Sequence, residues 1–334
     1  MTRRAGGWLL GLLVVGAMAG GGWFALRRAL QREDALIALL VSENDSIPTR
    51  MAIEKGASFA LKEAGHRAGK YRLTIQQFYP ASIYDNPSPI AAWVGPGEAI
   101  LSRGHPQGRP FSVSVFDSHP AEPQDWYPVT PGWSQQGVAA ARWARKTGAS
   151  RVFLIRDAGS FRSKAIAASF EKAAAAQGLA LTGAADATME NVGKILVSEA
   201  DLVFFSGEEA PYSLTTRLFK ALREKGFAGS MVSGEADPQV SFLATRPDLL
   251  DGTYLVSPFA PAPPELAARM GFIPGPHVTA GYFAMKAVLV TIDRANSLSE
   301  EALHRAAAIL PSARRPCALY VARNGRLEFV ETLP

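Results

Sequence analysis

Residues 151–178 constrain the fold more than any other stretch of the chain. Residues 152–155 are a short apolar run of the kind that forms a strand buried on both faces. Ser160 is suited to cap the segment that follows, where apolar residues recur at helical spacing until Gly178 ends the helix. Because a buried strand followed by a loop and a helix needs a parallel neighbour, the sequence predicts an α/β domain.

The same order of elements recurs elsewhere in the chain. Residues 36–41 and 202–205 are predicted strands, each followed by apolar residues at helical spacing and a closing glycine, Gly65 or Gly226. These units share no sequence, so the pattern predicts a doubly wound fold and not a solenoid repeat. Further strands are predicted at 71–78, 91–94, 111–116, 230–232 and 252–257, helices at 135–146, 278–295 and 300–310, and a terminal hairpin that turns at Asn324-Gly325.

Length and charge limit the classes of function. A chain of 334 residues is long for one compact domain and suits two lobes. Residues 1–32 hold five arginines and no acidic residue, which leaves 30 basic and 30 acidic residues in the rest of the chain. A neutral folded part argues against nucleic-acid binding. Cys317 is the only cysteine, so no disulfide or thiolate metal cluster is expected.

The N-terminal segment predicts export. Residues 5–26 are uncharged and lie between two pairs of arginines. As a signal peptide, the segment would have its apolar region at 8–15 and a small-x-small cleavage site at 17–19. As an uncleaved anchor, it is long enough to cross a bilayer. Both alternatives stay open, and both place the folded part in the periplasm or elsewhere outside the cytoplasm.

The motifs of common enzyme classes are missing from the sequence. The five histidines are scattered without metal-ligand spacing. The sequence contains no Gly-x-Ser-x-Gly elbow, no Walker motif and no Gly-x-Gly-x-x-Gly after a strand. We therefore predict no cofactor, no metal site and no enzymatic activity.

Loops at the carboxyl ends of parallel strands are where α/β sheets bind ligands. Ser42 follows the first predicted strand, and Gly97 lies in a Gly-Pro-Gly turn whose backbone amides could face a ligand. Glu235 and Asp237 lie in the loop after residues 230–232. The alternatives are a solvated turn at Ser42, and catalysis, amine binding or capping of the next helix at Glu235 and Asp237.

The order of these elements resembles that of the type I periplasmic binding proteins, in the branch of the leucine/isoleucine/valine-binding receptors of ABC transporters. The resemblance spans about residues 35–332 and rests on the succession of several pieces: the first strand and helix at 37–65, Val-Gly-Pro at 94–96, Tyr-Pro-Val-Thr-Pro at 127–131, Gln-Gly-Val-Ala-Ala-Ala-Arg at 136–142, the strand at 151–157, residues 202–207, the helix at 280–286 and the terminal hairpin.

The resemblance implies two α/β lobes that close on a small ligand about a hinge of three crossover strands. It divides the chain into a signal peptide or anchor at 1–32, a first lobe at 33–128 plus 258–312, and a second lobe at 129–257 plus 313–334. Glu235 matches the acidic residue that holds an amino acid's ammonium group. Phe161 stands where the family often has Tyr or Phe against the ligand, and Glu208 or Glu209 where another side chain enters from the second lobe.

Departures from the family pattern mark a divergent member. Ala99 occupies the position of a serine that hydrogen-bonds the ligand carboxylate, and Trp133, with Ser134 beside it, replaces an acidic residue. The second helix of the first lobe is reduced to the loop at 80–89. The expected function is a receptor for a small polar ligand, with amino-acid-like molecules among the candidates, that serves an ABC permease. The alternative is a membrane-anchored sensor or assembly protein that reuses the fold without transport.

Overall fold

The structure is a computed structural model that describes residues 33–40, 47–78, 90–95, 111–115, 126–207, 213–234, 250–309 and 316–334. The predicted N-terminal hydrophobic helix and the predicted loop at 80–89 lie outside these residues. Among the helices within these ranges, none combines the length and apolarity needed to cross a bilayer.

The described residues form two sheets with flanking helices. The strands are β1 Glu33–Leu40, β2 Arg67–Ala68, β3 Tyr71–Phe78, β4 Ile90–Gly95, β5 Phe111–Ser114, β6 Trp126–Pro128, β7 Arg151–Arg156, β8 Ala180–Asp186, β9 Leu202–Phe205, β10 Ser230–Ser233, β11 Tyr254–Ser257, β12 Cys317–Arg323 and β13 Arg326–Leu333. The helices are α1 Ile47–Glu63, α2 Trp133–Lys146, α3 Phe161–Ala176, α4 Val192–Val197, α5 Ser213–Glu224, α6 Pro264–Met270, α7 Pro276–Ala295 and α8 Glu300–Ala307.

The first sheet has the strand order β2-β3-β1-β4-β5-β6. β1 lies in the interior and pairs in parallel with β3 and β4. Its side chains alternate between two apolar layers: Ile37 and Leu39 join the core formed with α1, α7 and α8, whereas Leu36 and Leu40 join a smaller cluster with Trp93. This burial on both faces explains why the strand is apolar from Ala35 onward.

Two glycines allow α1 and α7 to approach closely against the first sheet. A Cβ atom on Gly56 would lie 1.9 Å from the carbonyl oxygen of Val278, and one on Gly281 would lie 2.2 Å from that of Ile53. Real Cβ atoms do not make such contacts, so a larger residue at either position would separate the helices. Their backbones therefore pack directly against each other.

The second sheet has the strand order β13-β12-β11-β10-β9-β7-β8. The strands from β11 to β8 are parallel, but β12 and β13 are antiparallel to their neighbours. In the first sheet, β2 is antiparallel to β3. The prediction of parallel sheets is thus right for their centres, and the predicted terminal hairpin is confirmed as the antiparallel edge of the second sheet, whereas the antiparallel β2 of the first sheet was not predicted. The physical reason in the second sheet is the two-residue turn at Asn324 and Gly325, both with positive φ, which can join only antiparallel strands.

The second sheet carries a core with helices on each face. On one face α2 and α3 cover residues that include Phe204, whose ring stacks on that of Phe170 with centroids 4.3 Å apart. On the other face α4 and α5 cover Phe205 and Phe153. Both lobes of an α/β fold are therefore present, each with its own core.

The central prediction of a strand, loop and helix is confirmed. The backbone N–H of Ser163 donates to the hydroxyl of Ser160 at 3.1 Å, so Ser160 caps α3 as predicted. Gly178 follows the helix with φ of +70°. Sequence patterns do not predict β2, β6, β8, α4 or α6. In α6, Pro264 at the first helical position favours a helix start.

The chain passes between the two sheets three times, after β6, after β11 and before β12. Hydrogen bonds hold the described ends of these connections. The hydroxyl of Thr130 donates to the carbonyl oxygen of Val115 at 3.1 Å. The hydroxyl of Tyr320 donates to the carbonyl oxygen of Phe259 at 2.8 Å, which joins β12 to the second connection.

Candidate ligand-binding site

Three parallel strands of the second lobe end together at one edge of the sheet. The register pairs Ile155 of β7 with Phe205 of β9, and Phe205 with Ser233 of β10. The residues that follow these strands therefore gather at this edge, which we call the second-lobe edge. They include the start of α3, Gly207 and Gly234.

A buried arginine lies beneath the ends of β9 and β10. The side chain of Arg162, in the first turn of α3, is only 7% exposed, and its guanidinium group donates to the carbonyl oxygen of Gly234. Gly207 has φ of +91°, and a Cβ atom there would lie 2.8 Å from that oxygen and 3.3 Å from Nη1 of Arg162. A glycine at 207 thus lets β9 end directly against this bond.

Two serines connect the start of α3 to the same strand ends. The hydroxyl oxygens of Ser163 and Ser206 lie 2.5 Å apart. The hydroxyl of Ser163 accepts from the backbone N–H of Asp157 at 2.8 Å, and that of Ser206 donates to the carbonyl oxygen of Ile155 at 3.2 Å. Because both serines are buried, these bonds fix the helix start relative to β7 and β9.

Phe161 is exposed at the second-lobe edge. It is the first residue of α3, and 70% of its surface is accessible. The ammonium nitrogen of Lys164 lies 5.5 Å from the centre of its ring. A large aromatic side chain that is mostly accessible to solvent is suited to contact a ligand.

Four other predicted site residues lie outside the described residues, but the strand ends that precede them are described. Glu208 and Glu235 come directly after Gly207 and Gly234 in the chain. Ser42 and Gly97 come two residues after the ends of β1 and β4. Those two ends are close together, since a Cβ atom on Gly95 would lie 2.6 Å from the carbonyl oxygen of Leu40.

Trp133 and Ser134 are the first two residues of α2. α2 leads into β7 and α3 leads out of it, so both helices begin at the second-lobe edge. Trp133 packs against the core of the second lobe.

Ser134 lines a pocket of about 770 Å³ that also involves Arg142, Cys317 and Leu333. Burial raises the pKa of the Cys317 thiol to about 12, so this thiol stays protonated at neutral pH.

Sequence reasoning missed Arg162, although the sequence carried a signal for it. The positive end of the helix dipole disfavours a cation in the first turn, and Arg162 occupies that turn. A cation there needs a compensating partner, which the fold supplies as the carbonyl oxygen of Gly234.

Among the described residues, no group of three or more His, Cys, Asp or Glu side chains could hold a metal ion.

The family model described as "Periplasmic binding protein" matches residues 90–324. The chain belongs to this family. Because it is a member of this family, the protein is expected outside the cytoplasm. No curated protein sequence matches it.

Solved structures show the same fold at low sequence identity. A leucine binding protein, LivK, from Thermotoga maritima is 15% identical, with 90% of this chain and 98% of that chain covered and a TM-score of 0.72. The substrate binding protein LivJ from Streptococcus pneumoniae, in complex with isoleucine, is 14% identical, with 89% and 99% covered and a TM-score of 0.67. A solute binding protein from R. palustris, in complex with benzoate, is 12% identical, with 91% and 97% covered and a TM-score of 0.67.

These comparisons confirm the resemblance to a divergent type I periplasmic binding protein. The similar proteins are a leucine binding protein, the solute binding protein of an ABC transporter and the substrate binding protein of a branched-chain amino acid transporter. The comparisons give no support to the alternative of a membrane-anchored sensor or assembly protein. The predicted roles of the individual site residues stay predictions.

Proposed function

We propose that this protein is an extracytoplasmic receptor that binds a small polar solute of the amino-acid class between its two lobes and delivers it to an ABC permease. The proposal assigns it no catalytic activity. It uses the lobe boundaries predicted above, with residues 33–128 and 258–312 in the first lobe. Tethering through residues 5–26 is part of the same proposal.

The main support for this proposal is that the ends of several strands meet at the second-lobe edge. Gly207 and Gly234 meet beside the buried guanidinium of Arg162, and the next residue after each glycine is a glutamate. A cationic group and carboxylates at one edge offer complementary charge to both ends of a zwitterion. The exposed ring of Phe161 supplies apolar contact for the side chain of such a ligand.

Arg162 also offers a physical account of the divergence at Ala99. Where the family uses a serine hydroxyl from the first lobe for the ligand carboxylate, this chain has a methyl group. We infer that the positive charge of Arg162 in the second lobe replaces that hydroxyl. Glu235 then holds the ammonium group, with Glu208, Ser42, Gly97, Trp133 and Ser134 around the ligand.

Ligand screening of the full chain tests the function. Thermal shifts and calorimetry with branched-chain amino acids, other amino acids, amides, polyamines and aromatic acids identify the class, because a ligand that binds the native state raises its stability. Glu235→Gln should weaken binding of amine-bearing ligands at least about tenfold, which corresponds to about 1.4 kcal/mol. The matched control is Glu265→Gln, an exposed carboxylate in α6. No binding of any member of the screen would contradict the receptor function.

A second pair of variants tests Arg162. Arg162→Met should weaken binding of carboxylate ligands more than binding of polyamines, and Arg162→Lys should restore part of it. The control is Arg156→Met, which removes an exposed arginine paired with Asp186 at 3.3 Å. Equal losses for ligands with and without a carboxylate would contradict the role of Arg162 in carboxylate binding.

A further inference from the structure

A cavity of about 320 Å³ lies where the three connections between the sheets meet. Val129 and Thr130 come from the connection after β6, Pro258 and Phe259 from the connection after β11, and Pro316 from the connection before β12. No wall residue of this hinge cavity among those described belongs to the second-lobe edge. It is therefore a different place from the proposed solute site.

The first lobe closes the hinge cavity with the start of α7. Ala280 and Phe283 line it from this side. The hydroxyl of Thr279 donates to the carbonyl oxygen of Gly275 at 3.0 Å, and that of Thr130 donates to the carbonyl oxygen of Val115. Because both hydroxyl protons are already used within the protein, the walls present chiefly proline, aromatic and aliphatic surface to an occupant.

Size and chemistry define the kind of molecule that fits. Small-molecule sites in proteins begin at volumes of about 300 Å³, so the hinge cavity suits a molecule of one or two rings. Described walls without a charged side chain disfavour an ionised group, since its desolvation would lack a compensating partner. Enclosed apolar cavities bind uncharged aromatic molecules without specific hydrogen bonds, and the walls of the half-open hinge cavity offer the same kind of apolar contact.

We propose that the hinge cavity is a second small-molecule site, which takes an uncharged aromatic molecule and couples its binding to the angle between the lobes. A hinge motion changes φ and ψ in the few residues that connect the lobes. All three connections supply walls of this cavity, so its shape changes when the lobes move. A molecule that fits one shape better shifts the population toward that shape.

Binding is tested with indole, an uncharged molecule of two rings, on the full chain without any other ligand. Calorimetry and thermal shift should show binding to the wild type. Ala260→Leu, which places a larger side chain in the cavity wall, should weaken binding at least about tenfold. Ala262→Leu is the matched control, because Ala262 is also partly exposed in the same connection but is not a wall residue, and it should bind indole as the wild type does.

Coupling is tested by distance measurements between the lobes. Nitroxide labels on Ile273→Cys and Val197→Cys report from the first and second lobe, since these side chains are 87% and 80% exposed. Cys317 is 2% exposed, so the native thiol should not react, and the unsubstituted chain checks this. Indole should shift the distance distribution in the doubly labelled chain, and Ala260→Leu should abolish the shift.

Three results would overturn the proposal. The first is no indole binding to the wild type. The second is equal binding by the wild type and Ala260→Leu, which would place indole elsewhere. The third is indole binding in the cavity with an unchanged distance distribution, which would remove the coupling. None of these results depends on the identity of the solute bound between the lobes, so the hinge site and the proposed receptor function fail separately.

Discussion

The two lobes share one architecture but differ in the contacts described at their strand ends. In the second lobe, helices cover both faces of the sheet, and a network of buried serine and arginine side chains fixes the edge where β7, β9 and β10 end. In the first lobe, the large core with α1 and α7 is matched across the sheet by a smaller cluster, whose described members all lie on strands. The described ends of β1 and β4 meet there through a glycine and a leucine.

This difference indicates that the two lobes have different roles in ligand binding. Buried polar groups that are held by directional hydrogen bonds favour one geometry, whereas apolar packing tolerates adjustment. The second-lobe edge is therefore suited to be a fixed half-site. The first lobe supplies a surface that approaches it. Four predictions test this comparison, from the largest expected effect to the smallest.

Truncation of a buried aromatic residue should cost a different amount of stability in the core of the second lobe than in the smaller cluster of the first lobe. Phe204→Ala removes a fully buried ring from the core between the second sheet and α3, and we expect a loss of about 3–5 kcal/mol in the free energy of unfolding. Phe78→Ala in the smaller cluster should cost less, because Phe78 is itself 5% exposed and its cluster has fewer described members. Urea unfolding followed by circular dichroism measures both values. Equal losses would contradict the difference between the layers.

Because α1 and α7 approach closely, we predict that even a methyl side chain is not tolerated at the glycines between them. Gly56→Ala places a methyl group against the carbonyl oxygen of Val278, so we expect a loss of about 1–3 kcal/mol. Gly137→Ala should have a comparable cost in the second lobe, where its Cβ would lie 2.3 Å from the carbonyl oxygen of Ile166. Gly193→Ala is the control, since nothing lies within 4 Å of that position, and it should be neutral or stabilising. A neutral Gly56→Ala would contradict the direct backbone packing.

The serine network should contribute measurably to stability. Ser206→Ala removes the hydroxyl that bridges Ser163 and the carbonyl oxygen of Ile155, and we expect a loss of about 1 kcal/mol. Ser198→Ala removes a less buried hydroxyl that donates to the carbonyl oxygen of Ile195, so its cost should be smaller. The same urea titration compares the two. If both variants match the wild type, the network does not fix the second-lobe edge.

The smallest expected loss of stability concerns the carboxylate of Asp201, which lies at the end of the second sheet opposite the second-lobe edge. The hydroxyl and backbone N–H of Ser150 and the N–H of Arg151 donate to Asp201, which holds the pKa of its carboxyl group well below the usual range. Asp201→Asn should lower the free energy of unfolding by at most about 1 kcal/mol at pH 7, because the side chain is 36% exposed.

The pH dependence of this effect has a definite sign. Since the folded-state pKa of Asp201 is depressed, its contribution is fully present above its unfolded-state pKa of about 3.9. It is lost as the pH falls from there toward the lower folded-state pKa. The difference between wild type and Asp201→Asn should therefore be constant from pH 7 to about pH 5 and shrink on further acidification. A difference that grows below pH 4 would contradict this assignment.

Local patterns explain how much of the fold could be predicted from the sequence. The cap at Ser160 and the left-handed Gly178 act within a few residues, so the sequence displays them directly. The antiparallel β2 was not predicted, because two residues carry too little periodicity to show a strand. The terminal hairpin was predicted from Asn324-Gly325, but the antiparallel pairing of β12 with β11 joins distant segments, which no single segment reveals.

The candidate site was less predictable for the same reason. The partner of Arg162 is a carbonyl oxygen 72 residues away in the chain, and Ser163 lies 43 residues from Ser206. Sequence reasoning selected Phe161 by resemblance, and the structure shows it exposed at an edge that contains Arg162 and Gly234. Such contacts arise only when distant strands align, so residue type and spacing do not identify them.

The three passages between the sheets also set the order in which a nascent chain can complete its folding. The core of the first lobe needs α7, which ends at Ala295, and the second sheet needs β12 and β13, which end at Leu333. Neither half can therefore close while most of the polypeptide is still emerging from the ribosome. Both cores are therefore completed only when the C-terminal elements are available, so a shortened chain that lacks β12 and β13 cannot complete the second sheet.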